Sequence, residues 1–362
     1  MEKINVLLIH PSVLFCKEMD TFLTNILSKG HVTSVTTIEK GIETIQTASI
    51  NVILLDVKML MKEEKSPVER LLETKSLPII MLADHCLNQT AKTIQAMTNG
   101  AVDFIRLNQN DSTAWEQQKE QMCTKIEHAA LAKLVRSESE KERKIPPQNI
   151  ETNNINNREM VPSHPKFSQT IIAIGASTGG PRALQQILQS IPSDFSTPIL
   201  IVQHMPSGFT SSLSKRLDNI SHITVQEAKH GDIIEQGKAY IAPGNFHMKV
   251  KKQGKQMVIE TTKEDTQLGH RPSINVLFDS LASLDSVHKI AVVLTGMGKD
   301  GAEGIIQIKE SQPSAVILAE SKDTAIINGM PNAAIQTNYV TEVLRLEHIV
   351  KALVDYTTKR GR

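Results

Sequence analysis

A serine in a glycine-rich turn, a histidine directly after an apolar run and an aspartate in a second glycine-rich loop could together do hydrolytic chemistry in this chain. Ser177 lies in IIAIGASTGGPRAL (171–184), where an apolar run passes through glycines into a helical stretch. Pro181 suits the first turn of that helix, because it has no N–H to satisfy. A helix N-terminus offers unpaired N–H groups and partial positive charge, both useful to an anionic intermediate. Alone, the turn fits a nucleophile, an anion site or a structural turn equally well. His204 follows PILIVQ (198–203) at once; by itself, a strand-end histidine is more often a local hydrogen-bonding residue than a base. Asp300 lies in VVLTGMGKDGAEG (292–304), where the plain reading is a turn or N-cap residue before a helix beginning near Ala302. Read together, the three loops supply one member each of a serine hydrolase triad. Ser177 Oγ attacks, His204 takes and returns the proton, and Asp300 fixes the imidazole tautomer and stabilises its charged form. Such a site calls for no cofactor and no metal.

Residues so far apart in the chain meet if each ends a strand of one open α/β sheet, whose carboxyl ends line a crevice. The runs TIIAIG (170–175), PILIVQ (198–203), KIAVVLTG (289–296) and AVILA (315–319) predict such a parallel sheet. Between Ala239 and Glu260 polar and apolar residues alternate around Lys252, Gln253, Gly254 and Lys255, predicting an antiparallel hairpin. The first third repeats the pattern with INVLLI (4–9), VILLD (52–56), PIIML (78–82) and VDFI (102–105). Val13, Leu14, Phe22, Leu23, Ile26 and Leu27 are spaced for one helix face, and a closing helix is expected over Thr113 to Val135. The fold class is therefore α/β, with two doubly wound parallel-sheet domains at 1–136 and 169–362. Between them, 137–168 runs from SESEKERK into Asn- and Pro-rich sequence with too little apolar surface to offset ordering, and reads as a flexible linker.

Composition narrows the partners. The 362 residues suffice for two ordinary domains, and 40 Lys plus Arg against 39 Asp plus Glu leave a formal charge of +1. Nothing in that balance favours broad attraction to nucleic acid or to a membrane surface. Cys16, Cys86 and Cys123 show no CxxC or metal-ligand spacing and read as buried thiols in a reducing compartment. The apolar stretch Ile4 to Ile9 is too short for a signal-peptide core, and no run approaches the roughly 20 residues of a membrane span. A cytoplasmic protein without membrane insertion is expected.

The order Ser, His, Asp differs from that of the α/β-hydrolases, chymotrypsin and subtilisin, and IGASTGG is not a G-x-S-x-G elbow. However, the segments IGASTGGP (174–181), QHMP (203–206), APG (242–244), TGMGKDG (295–301), GHRPSINVLFDS (269–280) and GMPNAA (329–334) stand together in this chain. With them it resembles, over its whole length, the protein-glutamate methylesterases of bacterial chemotaxis. The resemblance implies Ser177 as nucleophile, His204 as base and Asp300 as orienting acid. It also places Thr178 and Met297 at the active site, the Met297 N–H as a candidate oxyanion donor. The implied activity is hydrolysis of glutamyl methyl esters on the cytoplasmic helices of methyl-accepting chemoreceptors, with deamidation of glutamines by the same site. A chemotaxis histidine kinase or other signalling proteins are further implied partners. His270 and Arg271 fit a grip on an acidic receptor surface or a structural loop. His230 and His247 are taken as non-catalytic, and Met59 and Met61 as core or loop filler. Two rival readings are a non-catalytic regulatory protein that docks receptors or signalling partners, and a nucleotide-phosphate loop at GASTGG. The latter lacks the Lys of a P-loop and the spacing of GxGxxG.

The same resemblance makes the first domain a response-regulator receiver with Asp56 at the phosphoacceptor position. Around it the expected pocket is missing. His10 and Pro11 stand where paired acids hold Mg²⁺, Ala83 where a hydroxyl residue is expected, and Leu107 where a lysine is expected. Arg106 reaches the lysine position only by a register shift that turns it to the other face. Asp56 is expected to be non-functional as a phosphoacceptor.

Overall fold

The computed structural model describes residues 4–27, 30–60, 65–84, 87–107, 122–130 and 169–358. The expected linker, Met61, Cys86 and both ends of the helix expected over 113–135 lie outside the described residues.

The first sheet is built from β1 (Asn5–Ile9), β2 (His31–Val35), β3 (Val52–Asp56), β4 (Ile79–Asp84) and β5 (Asp103–Leu107). All pairs are parallel and the order is β2-β1-β3-β4-β5, the flavodoxin-type arrangement of a receiver-like domain. Around it lie α1 (Val13–Ile26), α2 (Ile38–Thr47), α3 (Pro67–Thr74), α4 (Leu87–Thr98) and the helical 122–130, α5. Strand β2, HVTSV, is an edge strand with only Val32 buried, so no apolar run announces it. The expected face of α1 needs correction. Phe15, Cys16, Met19, Leu23 and Leu27 are buried, whereas Val13 and Leu14 are 59% and 68% exposed. The stripe follows four-residue spacing from Phe15, and the two apolar residues of the first turn project away from it.

The second domain holds a seven-stranded, wholly parallel sheet in the order β14-β13-β12-β6-β7-β9-β8. Its strands are β6 (Gln169–Ala176), β7 (Ile199–Gln203), β8 (Thr224–Glu227), β9 (Lys238–Ile241), β12 (Val287–Val293), β13 (Val316–Glu320) and β14 (Glu342–Leu344). The expected hairpin is β10 (His247–Gln253) with β11 (Gln256–Thr262), turning through Gly254 and Lys255. Ala239 to Ile241, expected within that hairpin, instead belong to the parallel sheet as β9, buried on both faces. Helices α6 (Gly180–Ser190), α7 (Phe209–Asp218), α8 (Ile274–Ala282), α9 (Ala302–Ser311), α10 (Gly329–Gln336) and α11 (Leu346–Thr358) complete the layers. Strand succession runs outward from β6 through β7 on one side and from β12 on the other. The order of strand succession therefore reverses between β6 and β12, and a crevice must open at their carboxyl ends. Ser177 and the loop bearing Asp300 follow those two ends, and His204 follows β7.

Candidate active site

Ala176 and Gln203 are register partners at the ends of β6 and β7, and the His204 N–H donates to the Ala176 carbonyl at 3.0 Å. Ser177 and His204, next in each strand, thus leave the sheet side by side. The serine turn is held from behind. Its N–H donates to the Thr295 carbonyl at 3.0 Å, and Thr295 Oγ1 donates to the Thr178 carbonyl at 2.9 Å. Two glycines make the approach possible: Gly179 adopts φ +80°, and a Cβ on Gly296 would lie 2.7 Å from Ser177 Cβ.

His204 Nε2 lies 2.8 Å from Asp300 Oδ2. A carboxylate only accepts, so Nε2 carries the proton and Nδ1 keeps the lone pair. That Nδ1 is buried and has no hydrogen-bond partner among the described residues. Asp300, 1% exposed, accepts from Ser273 Oγ (2.9 Å), Ile274 N–H (2.7 Å) and Asn275 N–H (3.0 Å) besides His204. It therefore sits on the N-terminus of α8, not on the helix that follows it, whose N-cap is Gly301. Burial pushes the Asp300 pKa up, but the hydrogen bonds from His204, Asn275 and Ile274 outweigh it and hold the carboxyl below its ordinary value.

The remaining histidines divide. His270 stacks on the His204 ring with centroids 3.8 Å apart and planes 10° from parallel. Burial first, and the neighbouring His204 second, push its pKa down to about 4, so it is neutral at pH 7. Arg271 Nη1 donates to the Lys263 and Glu264 carbonyls at 3.3 and 2.9 Å, tying down the loop after β11. His247 Nδ1 accepts from Ser273 N–H at 3.2 Å, so it steadies a residue that itself holds Asp300. His230 lies 3.3 Å from the Thr261 carbonyl on the hairpin.

Ser177, His204, His270, Arg271 and Met297 line a cavity of about 620 Å³ whose other wall comes from the first domain, including Asp103, Phe104 and Lys125. Sequence reasoning passed over those three; GAVDFI read only as a strand. Asp103 Oδ2 accepts from Thr178 Oγ1 at 2.7 Å, and its Oδ1 lies 2.8 Å from Lys125 Nζ. The Gly179 N–H donates to the Val102 carbonyl at 2.8 Å, and Phe104 stacks on Phe209 at 4.4 Å. The edge of the first domain thus bears directly on the serine turn. Among the described residues, no group of three or more His, Cys, Asp or Glu is placed to hold a metal ion, and no helix is long and apolar enough to cross a membrane.

Residues 172–353 match the CheB methylesterase family. A protein-glutamate methylesterase/protein-glutamine glutaminase of Oceanobacillus iheyensis is 38% identical over 99% of this chain and 100% of its own length. This chain belongs to the CheB methylesterase family. A relative of the same name from Bacillus subtilis is 32% identical over 98% of this chain and 99% of its own. The solved CheB methylesterase catalytic domain of Thermotoga maritima is 40% identical, superposes with a TM-score of 0.50, and covers 52% of this chain and 99% of its own length.

In the receiver-like domain of this family member, Asp56 is fully buried and its Oδ2 lies 3.2 Å from His10 Nε2. His10 Nδ1 accepts from the Ser12 N–H at 3.0 Å, so its proton is on Nε2, facing the carboxylate. The His10 ring also stacks on Phe15 at 4.0 Å. An imidazole is thus packed between Asp56 and Phe15.

Proposed function

We propose that this chain hydrolyses glutamyl methyl esters on the cytoplasmic helices of chemoreceptors, and deamidates glutamine side chains at the same site. The His204–Asp300 pair beside Ser177, at the switch point of the parallel sheet, carries this reading. Ser177 Oγ attacks the ester carbonyl carbon while its proton passes to His204 Nδ1, the nitrogen left free by the Asp300 bond. The Met297 N–H is the donor for the resulting oxyanion. Collapse of the tetrahedral intermediate returns the proton to the leaving methoxide as methanol. Water, activated by the same nitrogen, then releases the glutamate carboxylate. The stacked, neutral His270 holds the His204 ring plane without adding a competing charge. Mass spectrometry of co-expressed candidate receptors tests the reading: methyl groups are lost with wild type and retained with Ser177→Ala. Equal loss with both would overturn it.

The contacts of Asp103 favour restraint of this site by the first domain. Thr178, next to the nucleophile, is held by Asp103, and Phe104 of the first domain lines the same cavity as Ser177. Asp103→Ala removes a charge-assisted hydrogen bond worth about 2 kcal/mol, which moves the docking equilibrium roughly 30-fold toward release. The fragment 169–362 and full-length Asp103→Ala are both expected to turn over receptor ester faster than wild type. Equal rates for all three would exclude restraint.

Release is not expected to depend on phosphorylation of Asp56. His10 brings no anionic oxygen for Mg²⁺, Ala83 no hydroxyl and Leu107 no ammonium, so the charge on a transferred phosphoryl group has no preorganised partner. Incubation with Mg²⁺ and a small phosphodonor is expected to leave the intact mass unchanged. Stoichiometric phosphorylation abolished by Asp56→Ala would contradict this.

A further inference from the structure

Thr295, two residues past the end of β12, is the support on which the serine turn rests, and each of its polar atoms is engaged. Its carbonyl accepts from Ser177 N–H at 3.0 Å, and its hydroxyl donates to the Thr178 carbonyl at 2.9 Å and accepts from Ile327 N–H at 3.0 Å. Its own N–H donates at 2.8 Å to Oε2 of Glu320, the last residue of β13. Glu320 is fully buried, and its Oε1 has no hydrogen-bond partner among the described residues. The adjoining Gly296 donates to the Ile327 carbonyl and accepts from Met330 N–H, so the same support continues into the loop that presents Met297.

A buried carboxyl with one oxygen unsatisfied is costly, and a glutamine would give Thr295 the same acceptor without a charge. We infer that Glu320 is a positioning residue for the nucleophile turn, and that its ionisation tightens the turn and raises the reactivity of Ser177. The ionised form accepts the Thr295 N–H as a charge-assisted bond, whereas a proton on either oxygen weakens that acceptor. The surrounding charges do not offset the burial. Glu347 on α11 is of like sign. Arg345 is held by Glu347 at 2.6 Å and lies 4.0 Å from Asp323, and Lys322 and Asp323 are exposed to solvent. Burial pushes the Glu320 pKa up to about 7, so the group titrates within the working range of a histidine base. Rising pH through that range converts the loosely held form into the tightly held one.

This inference rests on Ser177 being the nucleophile, and the test separates the two. Labelling of Ser177 in the full chain by a fluorophosphonate is followed from pH 5 to 9 for wild type and Glu320→Gln, with thermal unfolding measured alongside. In wild type the rate is expected to rise with pH more steeply than one ionisation allows, because the reactive form needs Glu320 ionised as well as a base free to take the Ser177 proton. Glu320→Gln is expected to leave a one-proton limb and, at pH 8, a rate at least several-fold below wild type, because its neutral amide accepts the Thr295 N–H more weakly than the carboxylate does. A wild-type limb of one proton overturns the role of Glu320, whether or not the variant folds, and so does a two-proton limb kept in Glu320→Gln. Absence of labelling in wild type at every pH overturns instead the assignment of Ser177.

Discussion

Ser177→Ala and His204→Ala are each expected to lower receptor-ester hydrolysis by several orders of magnitude, and the double variant to be hardly slower than either single one. A serine hydroxyl is a poor nucleophile until a base accepts its proton, and the base has no task once the hydroxyl is gone, so the two losses are one loss counted twice. The geometry makes the dependence specific. The Asp300 bond occupies His204 Nε2, so only Nδ1 has a lone pair to offer, and it is buried with no hydrogen-bond partner among the described residues. What activity survives in all three variants comes from substrate binding and the oxyanion donor. Methanol release from methylated receptor fragments, measured at saturating substrate, decides the matter: losses that multiply in the double variant would mean that the two side chains act independently.

Asp300→Asn is expected to cost on the order of 10⁴-fold in turnover while leaving the chain folded. The carboxylate accepts four donors, from Ser273, Ile274, Asn275 and His204. An amide has one acceptor oxygen and one NH₂, so one pair of these donors then faces a donor. If the NH₂ turns toward the His204 side, Nε2 must become the acceptor and the proton moves to Nδ1, where it blocks transfer from Ser177. If it turns toward Ser273 and Asn275, the start of α8 loses its acceptor, and stability falls by about 1–3 kcal/mol. Because Ile274 N–H shares Oδ2 with His204, either orientation lowers the melting temperature; turnover falls in the first through the wrong tautomer and in the second through the lost negative charge beside the imidazolium. Retention of near wild-type turnover at neutral pH would remove Asp300 from the mechanism.

Much of the scaffold was legible along the chain because a parallel sheet covered on both faces leaves continuous apolar runs. VILLD, ILIVQ and VILAE are buried at every position. Strands β2, β8 and β14 left no such run, since each is the outermost strand of its sheet and only partly buried. Ala239 to Ile241 was misread for a different reason: β9 is an interior strand, but three buried residues are too short a run to say whether their neighbour is a hairpin or a sheet. Glycine-rich turns directly after strands marked Ser177 and Asp300, and strand-end position marked His204, because backbone geometry at such turns depends on local residue type.

The pairings themselves came only with the tertiary structure. His204 and Asp300 are 96 residues apart, and Thr178 and Asp103 are 75. No local rule specifies which imidazole nitrogen meets the carboxylate, that Asp300 receives the start of α8 rather than capping α9, or that Glu320 lies under Thr295. His10 was visible in the sequence as a missing acid, yet its place against Asp56 was not. Periodicity and turn chemistry act over a few residues, whereas hydrogen-bond partners are chosen by which strand ends the sheet order brings together, and that order is settled by packing of the whole chain.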